Sequence, residues 1–117
     1  MDNKEFSKIL EDRTLKFGVS IIKLSSLLPG TVEGKIVRNQ ITKSGTSVGA
    51  NYREANRSRS TRDFKNKIII CEGESSETCY WLDIIERMDW IESGEIKPNQ
   101  LEASELLAIF TSIGNKL

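Results

Sequence analysis

The fold of this chain is built around the stretch from Ser44 to Leu82, SGTSVGANYREANRSRSTRDFKNKIIICEGESSETCYWL. It begins with small residues, continues through a basic turn and ends in a long amphipathic segment. Gly45 and Gly49 are one helical turn apart, so both would lie on the same face of a helix. Because a glycine inside a helix costs about 0.5–1 kcal/mol relative to alanine, the pair requires a compensating contact. We therefore predict a close approach between this helix and a neighbour, with the rest of the fold built around it.

Apolar residues recur at helical spacing in four segments, which we predict as helices over residues 4–28, 31–57, 62–91 and 99–114. Thr31 is the predicted N-cap of the second helix, and Ser60 or Thr61 that of the third. Gly94 is suited to the left-handed position that ends the third helix. Leu101 is assigned to the apolar side of the fourth helix. Short connections between amphipathic helices predict an all-α, up-down-up-down four-helix bundle with a shorter fourth helix.

Length and composition are those of a single domain covering residues 1–117. The chain has 29% charged and 38% hydrophobic residues, which is ordinary for a helix-rich domain with one core. No apolar run approaches the roughly 18 residues that a membrane span requires. The N-terminus has no apolar segment behind a basic start, as a signal peptide would have. We expect a cytoplasmic protein that makes no membrane contact.

The residue types argue against catalysis and against a bound metal. The chain contains no His, the usual base of hydrolases and a required ligand of di-iron bundles. Cys71 and Cys79 would lie about 12 Å apart along one helix, too far for a disulfide, and no CxxC pair suggests zinc. Both are expected to be ordinary thiols in or near the core. We expect no enzymatic activity, no metal or organic cofactor and no small-molecule substrate.

Charge is distributed unevenly, although the formal net charge is zero. Residues 35–67 hold nine Lys or Arg against two acidic residues, whereas residues 72–105 hold ten acidic residues against two basic ones. A cluster around the turn between the second and third helices is suited to phosphate contacts and comprises Arg53, Arg57, Arg59, Arg62, Lys65 and Lys67. Alternatively, these cations are neutralised by the acidic third and fourth helices, within a protomer or across a subunit interface, for example by pairing of Glu74 and Glu77 with Arg53 or Arg57. The pI of about 6.3 is lower than that of a dedicated nucleic-acid-binding domain.

Three aromatic residues of the same stretch also have two interpretations. Tyr52, Tyr80 and Trp81 could stack on bases, as aromatic side chains do in proteins that bind single strands. Their helical spacing beside Leu82 is more typical of a core or an interface, and we favour packing. The candidates for helix packing or a subunit interface are therefore Gly45, Gly49, Tyr52, Glu74, Glu77, Tyr80 and Trp81.

Residues 44–55, SGTSVGANYREA, resemble the second-helix signature of bacterial four-helix bundle proteins encoded in 23S rRNA intervening sequences. Residues 63–67 (DFKNK) and 74–82 (ESSETCYWL) resemble the third-helix signature of that family, and residues 10–17 (LEDRTLKF) fit its first helix. The resemblance covers nearly the whole chain and implies a cytoplasmic all-α bundle that assembles as a ring-like homo-oligomer, a pentamer. Related accessory proteins of diversity-generating retroelements bind a reverse transcriptase and nucleic acid. For the intervening-sequence branch the resemblance implies no settled activity. The chain departs from the family's third-helix pattern at Gly73, where the family more often has Lys.

Two functional hypotheses remain open from the sequence. The first is a non-enzymatic oligomeric interaction module that binds RNA or DNA through the basic cluster. The alternative is a structural scaffold or partner-protein adaptor that never contacts nucleic acid. Self-association is expected in both cases, because the third helix carries apolar side chains such as Ile69, Ile70 and Trp81 on more than one face. A basic and an acidic segment suit a head-to-tail contact that closes into a ring, with Trp81 and the segment 53–62 among the interface candidates.

Overall fold

Four α-helices make up the structure, a computed structural model that describes residues 2–117. They are α1 (Asn3–Ser25), α2 (Val32–Asn56), α3 (Thr61–Arg87) and α4 (Ser93–Asn115). Within residues 2–117 there is no strand, and the bundle measures 44 × 25 × 20 Å. The predicted all-α fold with four helices is confirmed.

Three of the helices begin at a side chain that accepts a hydrogen bond from a backbone N–H of the first turn. Asp2 accepts from the Glu5 amide at 2.7 Å, Thr31 from Gly34 at 3.1 Å and Ser60 from Asp63 at 3.1 Å. These bonds satisfy amide groups that have no carbonyl partner inside a helix. The predicted caps of the second and third helices are thereby confirmed, with Ser60 rather than Thr61 as the cap of α3.

The ends of α1 and α3 differ from the prediction. Helix α1 ends at Ser25 instead of residue 28, although Leu28 remains buried because a tight turn carries it back onto the core. Helix α3 ends at Arg87 instead of residue 91, and the left-handed residue after it is Asp89 (φ 55°), not Gly94. Aspartate tolerates this conformation better than most residues, and the Asp89 N–H donates to the Glu86 carbonyl at 3.1 Å.

The prediction of a short fourth helix is wrong, since α4 has 23 residues, as many as α1. It begins six residues earlier than predicted (99 − 93), and Pro98 lies inside it. A proline at this position removes only the bond to the carbonyl of Gly94, and both residues are exposed, so water can satisfy that oxygen. Burial of Ile96 and Asn99 holds this first part of α4 on the bundle. Leu101, predicted on the apolar side, is instead 68% exposed.

Helices α1 and α2 approach each other closely at two glycines of α2. A Cβ atom built on Gly45 would lie 2.7 Å from Cγ2 of Ile21, and one on Gly49 would lie 3.1 Å from Oγ1 of Thr14 and 3.2 Å from its backbone carbonyl carbon. Real Cβ atoms do not approach neighbours at the first of these distances, so only glycine allows the two helices this separation. The Thr14 hydroxyl is satisfied within α1, where it donates to the Leu10 carbonyl.

Helices α2 and α3 are aligned by buried polar contacts. The hydroxyl of Thr78 lies 2.9 Å from that of Ser44, and the thiol of Cys71 donates to the carbonyl of Val48 at 3.5 Å. Helices α2 and α3 are therefore antiparallel. Burial raises the pKa of the Cys71 thiol to about 12, so it stays protonated at neutral pH.

Helices α1 and α4 meet through polar side chains at the edge of the core. The guanidinium of Arg13 donates to both carboxylate oxygens of Glu102 at 2.6 and 2.7 Å and lies 3.1 Å from Glu105. These carboxylates raise the pKa of Arg13 further above its ordinary value. Ser20 donates to the side-chain oxygen of the buried Asn99 at 2.7 Å. The bidentate pair of Arg13 with Glu102 fixes the orientation of the two side chains as well as their distance.

Candidate nucleic-acid interface

The basic cluster predicted from the sequence lies at one end of the bundle, where α2 passes into α3. Five of its six side chains are exposed, and that of Lys67 is half-buried. None of the six forms an ion pair with any residue between 2 and 117. The members are Arg53, Arg57, Arg59, Arg62, Lys65 and Lys67. We call this set the basic turn.

An open cleft of about 390 Å³ runs across the basic turn. Its walls include Arg57, Arg59 and Lys67, together with the carboxylates of Glu54 and Asp63. Within the segment 53–67, two acidic residues against six cations leave an excess of positive charge. Ser60 accepts the capping bond from Asp63 through its oxygen, so its own hydroxyl hydrogen remains able to donate to an anion.

The predicted pairing of Glu74 and Glu77 with Arg53 or Arg57 does not occur within the protomer. The register of α2 against α3 places Glu74 near Ser47 and Lys43, whereas Arg53 and Arg57 lie about 9 and 15 Å further along α2. Partial burial, then the neighbouring Glu77, raises the pKa of Glu74 above its ordinary value. Glu77 itself is exposed and accepts a hydrogen bond from the indole N–H of Trp81 at 3.1 Å.

The three aromatic candidates have different environments. Tyr52 is buried in the core, with its ring centroid 5.6 Å from that of Phe110. It is therefore inaccessible to a base. Tyr80 is 57% exposed and contacts the half-buried Trp81 edge-on, with 5.1 Å between the ring centroids. Both lie on α3 well away from the basic turn, so the structure does not bring the aromatic and cationic candidates together.

The sequence interpretation missed a second apolar stripe on α1. Leu15, Val19 and Ile22 are 51%, 45% and 49% exposed and line a cleft of about 270 Å³ between α1 and α2. Its floor includes Gly18 and Ala50, and Arg53 stands at one end. We call this feature the α1–α2 groove. Spacings of four and three residues between its three apolar members were the available signal, since they repeat along one helix face separate from the buried stripe.

Other site types have no support in the part of the chain that the structure describes. Residues 2–117 contain no cluster of acidic, Cys or His side chains arranged to hold a metal ion. Cys71 is buried and Cys79 half-buried, and burial raises the pKa of both thiols. In the same range, no helix is both long and apolar enough to cross a membrane.

Comparison with known proteins gives a family match and structural matches that agree with each other. The family model described as "23S rRNA-intervening sequence protein" matches residues 8–112. A 1.70 Å crystal structure of a protein with unknown function from the S23 ribosomal protein family of Bacteroides thetaiotaomicron VPI-5482 is 35% identical in sequence. The match covers 89% of this chain and 96% of that one, with a TM-score of 0.82. No curated protein matches the chain.

Proposed function

This chain belongs to the 23S rRNA-intervening sequence protein family, and from that premise we propose that it is a non-enzymatic, oligomeric interaction module that binds RNA or DNA. The family predicted from the motifs of the second and third helices is confirmed by the match over residues 8–112. Neither the family description nor that of the Bacteroides structure names an activity, so the proposal rests on the chemistry of the basic turn.

The observation that carries the proposal is a set of cations with no internal partner. An exposed Arg or Lys that is not ion-paired remains free to replace the counterions that accompany a phosphate backbone. Five such groups and the half-buried Lys67, at one end of a narrow bundle beside the hydroxyls of Ser58, Ser60 and Thr61, provide both charge and hydrogen-bond donors. The basic turn has no exposed aromatic side chain, and we therefore propose contacts to phosphate and sugar rather than to bases.

The proposal includes an assembly. Helix α2 packs against both α1 and α3, and α3 packs against α4. From these contacts between consecutive helices we infer that the helices run up-down-up-down, as expected for a bundle with short connections. We further propose that this single domain forms a cyclic homo-oligomer in the cytoplasm, a pentamer as the family resemblance implies. Several copies of the basic turn in one ring would bind one nucleic acid with higher avidity than a single copy.

Binding measured across a salt series tests the proposal. Fluorescence anisotropy with a labelled single-stranded RNA and a duplex DNA, from about 50 to 200 mM salt, should give log Kd that rises linearly with log salt. Each phosphate contact removed by Arg57→Ala or Arg59→Ala should reduce the magnitude of that slope by about 0.7–0.9 per binding subunit.

Arg87→Ala is the matched control, because it removes one exposed Arg from α3 at the opposite end of the bundle. This variant should bind with the slope of the wild type. Absence of salt-dependent binding at the lowest salt concentration would reject the nucleic-acid proposal and leave the scaffold or adaptor as the function. An equal effect of all three substitutions would mean that only overall charge matters and that the basic turn is not the site.

A further inference from the structure

We propose that the α1–α2 groove of one copy receives the exposed face of α3 of a second copy. This inference rests on the self-association proposed above and adds to it the two surfaces that meet. The α3 face is formed by Ile69, Ile70, Gly73, Glu77 and Tyr80.

The α1–α2 groove is an apolar surface that the protomer itself leaves open. Leu15, Val19 and Ile22 form its raised edge, and the small side chain of Ala50 and the hydrogen of Gly18 keep the floor low. Three half-exposed apolar side chains in one row are suited to receive an apolar row from another helix.

The α3 face supplies such a row on a different side of the bundle. Ile69, Ile70 and Tyr80 are about half exposed, and Gly73 lies between them. Apart from the adjacent residues and the backbone of its own helical turn, a Cβ atom added to Gly73 would meet no atom of residues 2–117 within 4 Å, so no packing contact inside the protomer explains why glycine is here. Because a mid-helix glycine costs about 0.5–1 kcal/mol, we assign it to the notch into which the edge of the groove fits.

Charges on the two surfaces are complementary. Arg53 stands at one end of the groove, and Lys35 and Arg38 line the cleft that continues from Ile22 at the other end. None of the three is ion-paired within residues 2–117. The middle of the α3 face carries the exposed carboxylate of Glu77, with that of Asp83 beside it, and the exposed Arg62 and Arg87 lie beyond its two ends. One chain therefore contains both a groove with basic ends and an apolar face with acidic residues in its middle, and on this ground we assign a second copy as the occupant.

Such a contact is heterologous, because it joins two different surfaces, the α1–α2 groove of one copy and the α3 face of the next. Each copy in a row of such contacts uses both surfaces, and a suitable rotation between neighbouring copies closes the row into a ring. Blocking either surface on a copy leaves its other surface intact. That property separates this arrangement from a symmetric contact of one surface with itself.

Two variants that each block one surface test the inference. Val19→Glu places a carboxylate in the groove facing the acidic α3 face, and Tyr80→Arg places a cation on the α3 face opposite the basic groove. Both residues are about half exposed, so the fold should be retained, which circular dichroism checks. Leu101→Glu is the matched control, since it adds a charge at a more exposed apolar residue of α4 outside both surfaces. Each blocking variant should weaken association by about 30-fold or more and give a monomer in gel filtration with light scattering.

Mixing the two blocked variants provides the decisive measurement. The intact α3 face of the Val19→Glu copy should dock into the intact groove of the Tyr80→Arg copy and give a one-to-one heterodimer. If both variants stay monomeric in the mixture at the highest attainable concentration, the inference is overturned. If the wild type and both variants form the same oligomer, the proposed assembly stands and this choice of surfaces fails. A monomeric wild type would instead reject the assembly itself.

Discussion

Replacing Gly45 by alanine adds a methyl group where α2 lies close against Ile21 of α1. The new Cβ would lie 2.7 Å from Cγ2 of Ile21 and 3.0 Å from its Cβ and Cγ1. Ile21 is fully buried, and its Cβ is fixed to the backbone, so rotation of the side chain cannot relieve the overlap. Overpacking of this kind costs about 1–3 kcal/mol, whereas alanine gains about 0.5–1 kcal/mol in helix propensity. The free energy of unfolding should therefore fall by about 1–2 kcal/mol.

Gly18→Ala is a control from the same helix contact. A Cβ on Gly18 would lie 3.6 Å from the Cα of Thr46 and 3.8 Å from the Gly45 carbonyl oxygen, which is ordinary van der Waals contact. Here the gain in helix propensity is not opposed, and the free energy of unfolding should rise by about 0.5–1 kcal/mol. Two identical substitutions on facing helices are thus expected to change stability in opposite directions.

Urea unfolding followed by circular dichroism measures both changes. For a domain of this size, a slope of about 1–2 kcal/mol per M converts the expected loss for Gly45→Ala into a midpoint lower by about 1 M. Protein concentration is kept the same for all variants, because self-association adds to apparent stability. A Gly45→Ala variant at least as stable as the wild type would refute the close-contact explanation of this glycine.

Two further predictions concern polar groups of α3, the buried Thr78 and the partly buried Glu74. Thr78→Val should lower the free energy of unfolding by about 1 kcal/mol, because the buried Ser44 oxygen loses its donor at 2.9 Å. The double variant with Ser44→Ala should lose less than the sum of the two single losses. Additive losses in this double-mutant cycle would contradict the prediction. Glu74→Gln should raise stability at neutral pH. Because the pKa of Glu74 is raised on folding, the folded state binds more protons than the unfolded state between the ordinary carboxyl pKa and the raised one. The stability of the wild type therefore falls as pH rises through that window. Unfolding curves at several pH values should show a flatter profile for this variant, and an unchanged profile would exclude Glu74 as the cause.

Much of this fold follows from local sequence pattern. Helix existence depends on apolar residues at intervals of three and four, which the chain displays in all four segments. The caps at Thr31 and Ser60 depend on a side chain and an amide only three residues apart, so they too can be predicted locally. Sequence motifs also identified the family, since they preserve the spacing of residues that pack together in the bundle.

Helix ends without such local signals could not be predicted in the same way. Gly94 and Pro98 suggest a break by their intrinsic preferences, yet α4 runs through both. Burial of Ile96 and Asn99 against the other helices outweighs the single hydrogen bond that Pro98 removes. The residue that reverses the chain is Asp89, whose left-handed conformation depends on where the core ends rather than on its type alone.

The four helices, the small-residue face of α2 and the six cations of the basic turn follow from residue type and spacing along the chain. The partners of those groups depend on how the helices pack. The register of α2 against α3, set by contacts such as Ser44 with Thr78, separates Glu74 from Arg53 and leaves the basic turn without internal ion pairs. The packing of α1 on α2 likewise exposes Leu15, Val19 and Ile22 as a groove. Pattern along the chain reports which face of a helix is apolar, but the rotation and register of one helix against another depend on how distant side chains fill the same space.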